Sequence, residues 1–399
     1  MPDGRGSLFD VLDRAARRGL DVRVIFWRHT DETAHFVNDM FAGSADQREM
    51  LGLRDAQFSI RWDRAASHHC HHQKSWIVDA GRNGEIAFVG GINLNRHSVV
   101  APGHAHGPDT PRHNHDLYLE LAGPSASDVH HNFVQRWRGA SDRHAEDGAF
   151  GPAAVHDPAF PLVASPPRGQ SFVQVQRTIH PALYAECHCA PDAADFDIHS
   201  GEQSVFDQYC VAITAAKQSV YIENQSLLSR KVLACLEAAL ERGVIVVALL
   251  PAEAEGNIRR ARQEAEWDDY FRQFEALSRF PHFALIGIAG PDEAGARHPV
   301  YVHDKAMLLD DHWSTIGSCN LRDISFTGHT EMNASIWDAA FTRDLRVALL
   351  AEHLEQDTSA LDDRSALALC ISQARANAGR PHQAWEGHVF ALDPATYGF

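Results

Sequence analysis

Lysine is nearly absent from this chain: Lys74, Lys217, Lys231 and Lys305 are the only ones in 399 residues. Any task that calls for a primary ammonium therefore falls to very few positions. Positive charge as a whole is short, with 36 Lys and Arg against 53 Asp and Glu and a formal charge of −17. That sign excludes the broad basic surface with which proteins gather nucleic-acid phosphates, so nucleic acid is not expected as a partner. A phosphate site here must be basic only locally. Long apolar runs are also missing. A membrane-spanning helix needs roughly 18–20 apolar residues in a row, and the longest candidate, residues 244–250, is strand-sized. Residues 1–6 show no basic stretch followed by an apolar core, so no secretory signal is expected and a cytoplasmic location follows. Seven cysteines are scattered without a paired framework, and only Cys187-His188-Cys189 forms a cluster. Two further ligands at sensible spacing are lacking, and Cys-x-Cys is tighter than a usual zinc knuckle, which favours reduced thiols over a metal site.

What is present reads as a folded protein, 44% hydrophobic and 22% charged. Its length exceeds that of a usual single core, so two domains or one two-lobed unit are expected. Residues 8–18 carry apolar side chains at helical spacing, followed by Gly19 and the β-branched run 22–27. Residues 232–242 repeat the pattern, with Gly243 where a helix C-cap belongs and a buried-strand pattern at 244–250 that Pro251 ends. This predicts an internal duplication: an α/β fold of two similar lobes, residues 1–165 and 166–399, with one shared active site at their interface. A further strand, residues 219–224, precedes the second helix, while only about half a dozen residues precede the first. The first lobe is therefore expected to lack its opening strand, through a late gene start or a truncation that leaves a sheet edge open. Residues 139–170, rich in Ala, Pro, Gly, Asp and His without periodicity, read as the linker.

His72-Gln73-Lys74-Ser75-Trp76-Ile77-Val78-Asp79 and His303-Asp304-Lys305-Ala306-Met307-Leu308-Leu309-Asp310 share one spacing, His-x-Lys-x-x-x-x-Asp. On a strand, His and Lys of each motif project from the same face. From 26 His, 4 Lys and 33 Asp, chance supplies ~0.02 such matches. Two occur, and they take half of the chain's lysines. Each motif leads into a strand and a small-residue turn, which holds Gly90, Gly91 and Asn93 in one case and Gly317, Ser318 and Asn320 in the other. Small residues let backbone approach a phosphate, and an Asn amide can donate to a non-bridging oxygen. For either turn alone, a ligand-free β-turn is the alternative.

Together these residues resemble the phospholipase D superfamily. The second half carries HxKxxxxDxxxxxxGSxN without departure; the first has a longer spacer after Asp79, and Gly91 replaces the serine, which implies one missing hydroxyl contact to phosphate. Gln176-Arg177-Thr178, Tyr221-Ile222-Glu223-Asn224-Gln225, His115-Asp116, Phe133-Val134-Gln135-Arg136-Trp137 and Glu352-His353-Leu354 are similar to the phospholipase D and cardiolipin synthase branch rather than to the nucleases. The resemblance covers nearly the whole chain. It implies His72 as nucleophile and His303 as general acid, then base. Lys74, Lys305, Asn93, Asn320 and Ser318 would hold phosphoryl oxygens, Asp79 and Asp310 would support the catalytic set, and Asp116 and Glu331 would each orient a histidine.

The chemistry accounts for such a set, because a phosphodiester repels nucleophiles and holds a poor leaving group. No carboxylate metal cage is evident, and no cofactor or metal is expected. Two lysines and two asparagines can supply the charge stabilisation that divalent metals supply elsewhere. One imidazole attacks phosphorus while the other protonates the departing alcohol. The resemblance implies a monomer acting on phospholipid at a membrane surface, with water or an alcohol as acceptor. Its closest rival is a phosphatidyltransferase of the cardiolipin synthase type. A nuclease fits the motifs but not the acidic balance, and a lipid-binding module with a dead site would have lost a His or a Lys. The remaining histidines, His68, His69 and His71 before the first lysine and His97, His104, His106, His113 and His115 after it, suggest a substrate-facing loop that becomes cationic in mild acid.

Overall fold

The computed structural model describes residues 6–28, 55–65, 69–94, 96–98, 100–106, 114–146, 148–152, 156–185 and 188–399. The first half supplies β1 (Arg23–Arg28), β2 (Ser59–Arg64), β3 (Ser75–Val78), β4 (Ile86–Gly90), β5 (Asn114–His115), β6 (Tyr118–Ala122) and β7 (Ala149–Phe150). The second begins with β8 (Phe172–Ile179), β9 (Glu202–Gln203), β10 (Ser219–Asn224), β11 (Leu227–Leu228), β12 (Ile245–Leu249) and β13 (Phe283–Pro291). It ends with β14 (Arg297–Pro299), β15 (Tyr301–Val302), β16 (Lys305–Leu309), β17 (Trp313–Gly317), β18 (Leu321–Arg322), β19 (Glu331–Trp337) and β20 (Val389–Leu392).

The repeated helix, glycine and strand are both formed. The helix Leu8–Arg17 opens on a Ser7/Asp10 capping box, and the helix Arg230–Glu241 opens on Ser229, whose side chain accepts from Val232 N. Gly19 and Gly243 then turn the chain at φ 87° and 85°. Nothing crowds either Cα, so backbone conformation alone asks for glycine there. An L side chain in that region costs about 1–2 kcal/mol.

One ten-stranded sheet, ordered β14-β13-β12-β10-β16-β17-β19-β8-β9 with β20 on β13, contains only strands that follow Phe172. Six of the earlier strands form two three-stranded sheets, β1-β2-β7 and β3-β4-β6, and β5 pairs with β15. The pairings correspond: β1 and β2 are parallel like β12 and β13, while β3-β4-β6 is antiparallel like β16-β17-β19. In the second half β10 stands between β12 and β16 and joins the two groups. Among the described residues no strand fills that place between β1 and β3.

The ten-stranded sheet is covered on both faces, so β10 and β12 are buried throughout. Helical residues Val205, Leu233, Leu236 and Phe274 pack on one face. On the other, Ala87, Val89, Leu119 and Leu121 of β4 and β6 share a core with Ile316, Met332 and Ala334 of β17 and β19. That sheet-on-sheet contact joins the two motif-bearing halves of the chain. Trp62 and Trp137 are fully buried, as core residues should be. Cys70, Cys189, Cys210, Cys235, Cys319 and Cys370 are free thiols; Cys187, and with it the Cys-His-Cys cluster, lies outside the described residues. No described helix is long and apolar enough to cross a membrane.

Candidate active site

The backbone leading into each motif is pinned to the opposite half of the chain. His72 N donates to Thr330 O at 2.9 Å and Thr330 N to Cys70 O at 3.0 Å. In the second copy His303 N donates to His115 O at 2.8 Å, and β15 pairs with β5 in parallel. The residue after each of these partners is a carboxylate. Glu331 accepts from His72 Nδ1, 2.9 Å to Oε2 and 3.0 Å to Oε1, and Asp116 accepts from His303 Nδ1 at 2.6 Å. Each imidazole is thus oriented by a carboxylate from the other half, and Asp116 and Glu331 stand where the resemblance put them.

Burial pushes the Glu331 carboxyl up, but His72 and Lys74 more than offset it and hold it below its ordinary value. An ionised carboxylate can only accept, so Nδ1 of His72 carries the proton and Nε2 keeps its lone pair. The His72 imidazole is itself pushed down, by burial first and by both lysines, against the pull of Glu331. Burial and Lys305 bring His303 down to about 3 despite Asp116. Both rings are therefore neutral near pH 7 in the free protein. Asn93 Nδ2 lies 3.4 Å from His303 Nε2. Lys74 Nζ donates to His72 O at 2.8 Å, while Lys305 Nζ donates to His303 O and, at 2.9 Å, to Gln225 Oε1. Burial lowers Lys74 to about 8 and Lys305 in the same direction. Each lysine also depresses the other motif's histidine, so two ammoniums and two imidazoles lie close enough to act on one another.

Four expectations change. Asp79 and Asp310 are not with the imidazoles. Asp79 is exposed in the turn after β3, where its carbonyl accepts from Arg82 N. Asp310, at the far end of β16, accepts from the backbone N–H of Lys217 at 2.9 Å and of Gln218 and Ser219 at 2.8 Å. Both adopt φ 55°, a left-handed turn conformation that Asp tolerates better than most residues. Ser318 is not a free phosphate contact: its buried hydroxyl donates to Glu331 Oε2 at 2.6 Å and accepts from Met332 N at 3.0 Å. Gly91 correspondingly forfeits no phosphate contact, because a Cβ there would lie 2.3 Å from Asp116 Oδ1. The histidine loop is not one exposed cationic surface either: burial pulls His115 down, but Glu223 more than offsets it and holds that ring above its ordinary value. His104 is buried and pushed far down by desolvation, and His106 stacks on His298 with ring centroids 4.6 Å apart. His68 and His113 lie outside the described residues. Asn320 holds the place expected of it after β17, buried, with its amide oxygen unpartnered.

Sequence reading missed Gln225 as a site residue. It bridges Lys305 to Tyr301, whose hydroxyl it meets at 2.9 Å and whose ring stacks on His303. The signal was there, in the Tyr221-to-Gln225 stretch. Arg177, from another such stretch, is a clamp: it binds Glu202 at 2.7 Å, Gln135 at 2.8 Å and Asn132 at 3.1 Å, tying β8 to the helix Pro124–Gly139.

A prediction follows for Asp310. Removing a carboxylate that accepts three amides costs about 1–3 kcal/mol, so Asp310→Ala should melt several degrees lower by calorimetry. Its kcat should stay within about threefold of the parent, where loss of a catalytic group costs orders of magnitude.

Comparisons with known proteins agree with this geometry. A family model described as "Cardiolipin synthase, PLD-like domain" matches residues 5–137 and 209–352, and one described as "Phospholipase D" matches residues 97–233. Phospholipase D alpha 3 of Arabidopsis thaliana is 25% identical over 489 residues, covering 90% of this chain and 59% of the relative. Phospholipase D alpha 2 of Oryza sativa subsp. japonica is 26% identical over 449 residues, covering 82% and 54%. The chain thus spans little more than half the length of these relatives. Among solved structures, phosphatidylserine synthase of Haemophilus influenzae Rd KW20 aligns with a TM-score of 0.52 at 11% identity, over 97% of this chain and 78% of that one, a likeness of fold alone.

Proposed function

Because the chain belongs to the phospholipase D superfamily, we propose that it hydrolyses glycerophospholipids to phosphatidate and the free head-group alcohol through a phosphohistidine. One observation carries this reading. Two imidazoles, each with Nδ1 on a buried carboxylate from the opposite half and so with Nε2 free to react, lie within electrostatic reach of both Lys74 and Lys305. His72 Nε2 attacks phosphorus and the bond to the head-group oxygen breaks. His303 gives that oxygen a proton. Water then attacks the phosphohistidine, His303 takes its proton, and phosphatidate leaves. The neutral free-protein state of His303 fits this cycle. Burial first, and the two lysines with it, keep the ring unprotonated in the free protein; a phosphodiester anion beside Lys74 and Lys305 would offset the lysines' part and so favour the acid form.

The acidic balance of the chain and the names of its relatives support a lipid over a nucleic-acid substrate. Attachment to the membrane surface is then peripheral, and the chain works as a monomer without cofactor. Transfer of the phosphatidyl group to a lipid hydroxyl is the second reading, favoured by the description of the matched family model.

The test is release of phosphatidate from short-chain phosphatidylcholine in excess EDTA, with and without a primary alcohol. Turnover should persist in EDTA within about twofold, because Lys and Asn side chains supply the stabilisation. Complete loss that one divalent ion restores would sink the metal-free scheme. Product formed only when a lipid alcohol is added would establish the transferase instead.

A further inference from the structure

Three stretches of distant sequence, His115-Asp116, Tyr221 to Gln225 and Glu352 to Leu354, meet at one buried carboxylate. Glu223 on β10 is fully buried and accepts from Tyr221 Oη at 2.5 Å, His115 Nε2 at 2.8 Å and His353 Nε2 at 2.9 Å. Burial alone would raise its pKa, but the two histidines hold it well below the usual range, so it is the anion of the cluster. Asp304, the residue after His303, is equally buried and lies beside Glu223. Burial and Glu223 push it far up, so it remains a neutral acid. A second layer closes the cluster: His104 Nε2 lies 3.0 Å from His353 Nδ1, and Gly103 N donates to Glu352 Oε1 at 2.9 Å.

The cluster borders the site through His115. That residue's carbonyl accepts from His303 N and Asp304 N, its side chain donates to Glu223, and the next residue is Asp116. The segment has little fold of its own. β5 is two residues long and pairs only with the equally short β15. β10, by contrast, lies in the interior of the ten-stranded sheet. The His115–Glu223 bond therefore ties a briefly paired segment of the first half to a fully buried interior strand of the second, one residue from the carboxylate that orients His303.

We propose that Glu223 is a positioning residue for the proton-transfer steps: through His115, and braced by His353, it holds Asp116 where Asp116 can orient His303. This rests on the reading of His303 as the leaving-group acid. A carboxylate that merely supported the fold would weaken every reaction alike. One that acts through His303 weakens a reaction in proportion to its need for a proton on the leaving oxygen.

The experiment is Glu223→Gln, compared with the parent on phosphatidylcholine and on the p-nitrophenyl ester of phosphatidic acid, together with a crystal structure of the variant. On phosphatidylcholine kcat should fall about 10- to 100-fold with KM within about threefold, part of the ~10²–10⁴ that general acid–base catalysis supplies. Formation of the phosphoenzyme from the p-nitrophenyl ester, whose leaving group needs no proton, should change by less than about threefold. The Asp116–His303 hydrogen bond of 2.6 Å should lengthen or break in the crystal. His115→Gln, which keeps an N–H donor, should retain more activity than His115→Ala. Equal losses on the two substrates overturn the proposal, as does an unchanged kcat or an Asp116–His303 contact that stays in place. Two imidazoles and a carboxylate can also ligate a divalent cation; a stoichiometric metal in the purified protein that Glu223→Gln loses overturns it in favour of a metal centre. If the parent turns over neither substrate, the lipid reading fails, and the crystal structure still decides the positioning role.

Discussion

His72→Ala is expected to form no phosphoenzyme with any substrate and to lose roughly 10⁴-fold or more in kcat, the scale on which removal of a nucleophile acts. His72 is the ring whose Nδ1 proton is fixed by Glu331, while His303 Nε2 already faces the Asn93 amide. His303→Ala should behave differently. With phosphatidylcholine the alcohol must leave without a proton, at a loss of ~10²–10⁴. With a p-nitrophenyl ester the first step needs little protonation, so the adduct should form on His72 and then stall, because attacking water lacks its base. Rapid quench followed by mass spectrometry of the tryptic peptide locates the adduct. Phosphate found on His303 in the His72→Ala protein would invert the assignment of the two roles.

The two histidines could be read from the chain because strand geometry makes their spacing meaningful. His and Lys two residues apart share a face, and a second copy with the same spacing removes chance. The same geometry argues against the motif aspartates. Lys305 and Asp310 are five apart, an odd offset that turns them to opposite faces and separates them by about 16 Å of extended chain. Asp310 was placed with the catalytic set by resemblance, where its own offset pointed to the far loop it in fact secures. The sheet pattern was legible for a similar reason. All-apolar β12 reads as a strand covered on both faces, and among the described residues the first half has no counterpart of β10 to join β1-β2-β7 to β3-β4-β6. The histidine loop was not legible. Whether His104 meets solvent or another imidazole depends on Glu352 and His353, some 250 residues away, and no local pattern records that contact. The same holds for Glu223, whose partners come from three distant segments.

The least local relation of all yields the second large effect. Gly91 stands where the superfamily's signature has serine, so Gly91→Ser looks like a repair, yet it should be among the most damaging changes in the protein. In the second half the serine works because its partner is a glutamate: Ser318 donates to Glu331 at 2.6 Å, and the longer side chain still spans to His72. In the first half the partner is Asp116, one methylene shorter, and it reaches His303 only by lying against the bare backbone of Gly91. A Cβ there would sit 2.3 Å from Asp116 Oδ1 and 3.1 Å from His303 O. Neither neighbour is the far end of a flexible side chain. Asp116 is bonded to both His303 and Leu117 N, and the His303 backbone is pinned to His115. The new side chain must therefore push the carboxylate off the imidazole. Gly91→Ser and Gly91→Ala should each lower kcat on phosphatidylcholine by about 10²-fold or more, the share owed to an oriented general acid. Formation of the phosphoenzyme from a p-nitrophenyl ester should be largely spared. A thermal melt separates this local displacement from unfolding, since the cleft offers the carboxylate somewhere to go. Full activity in Gly91→Ser would show that the glycine and the shorter acid are not coupled.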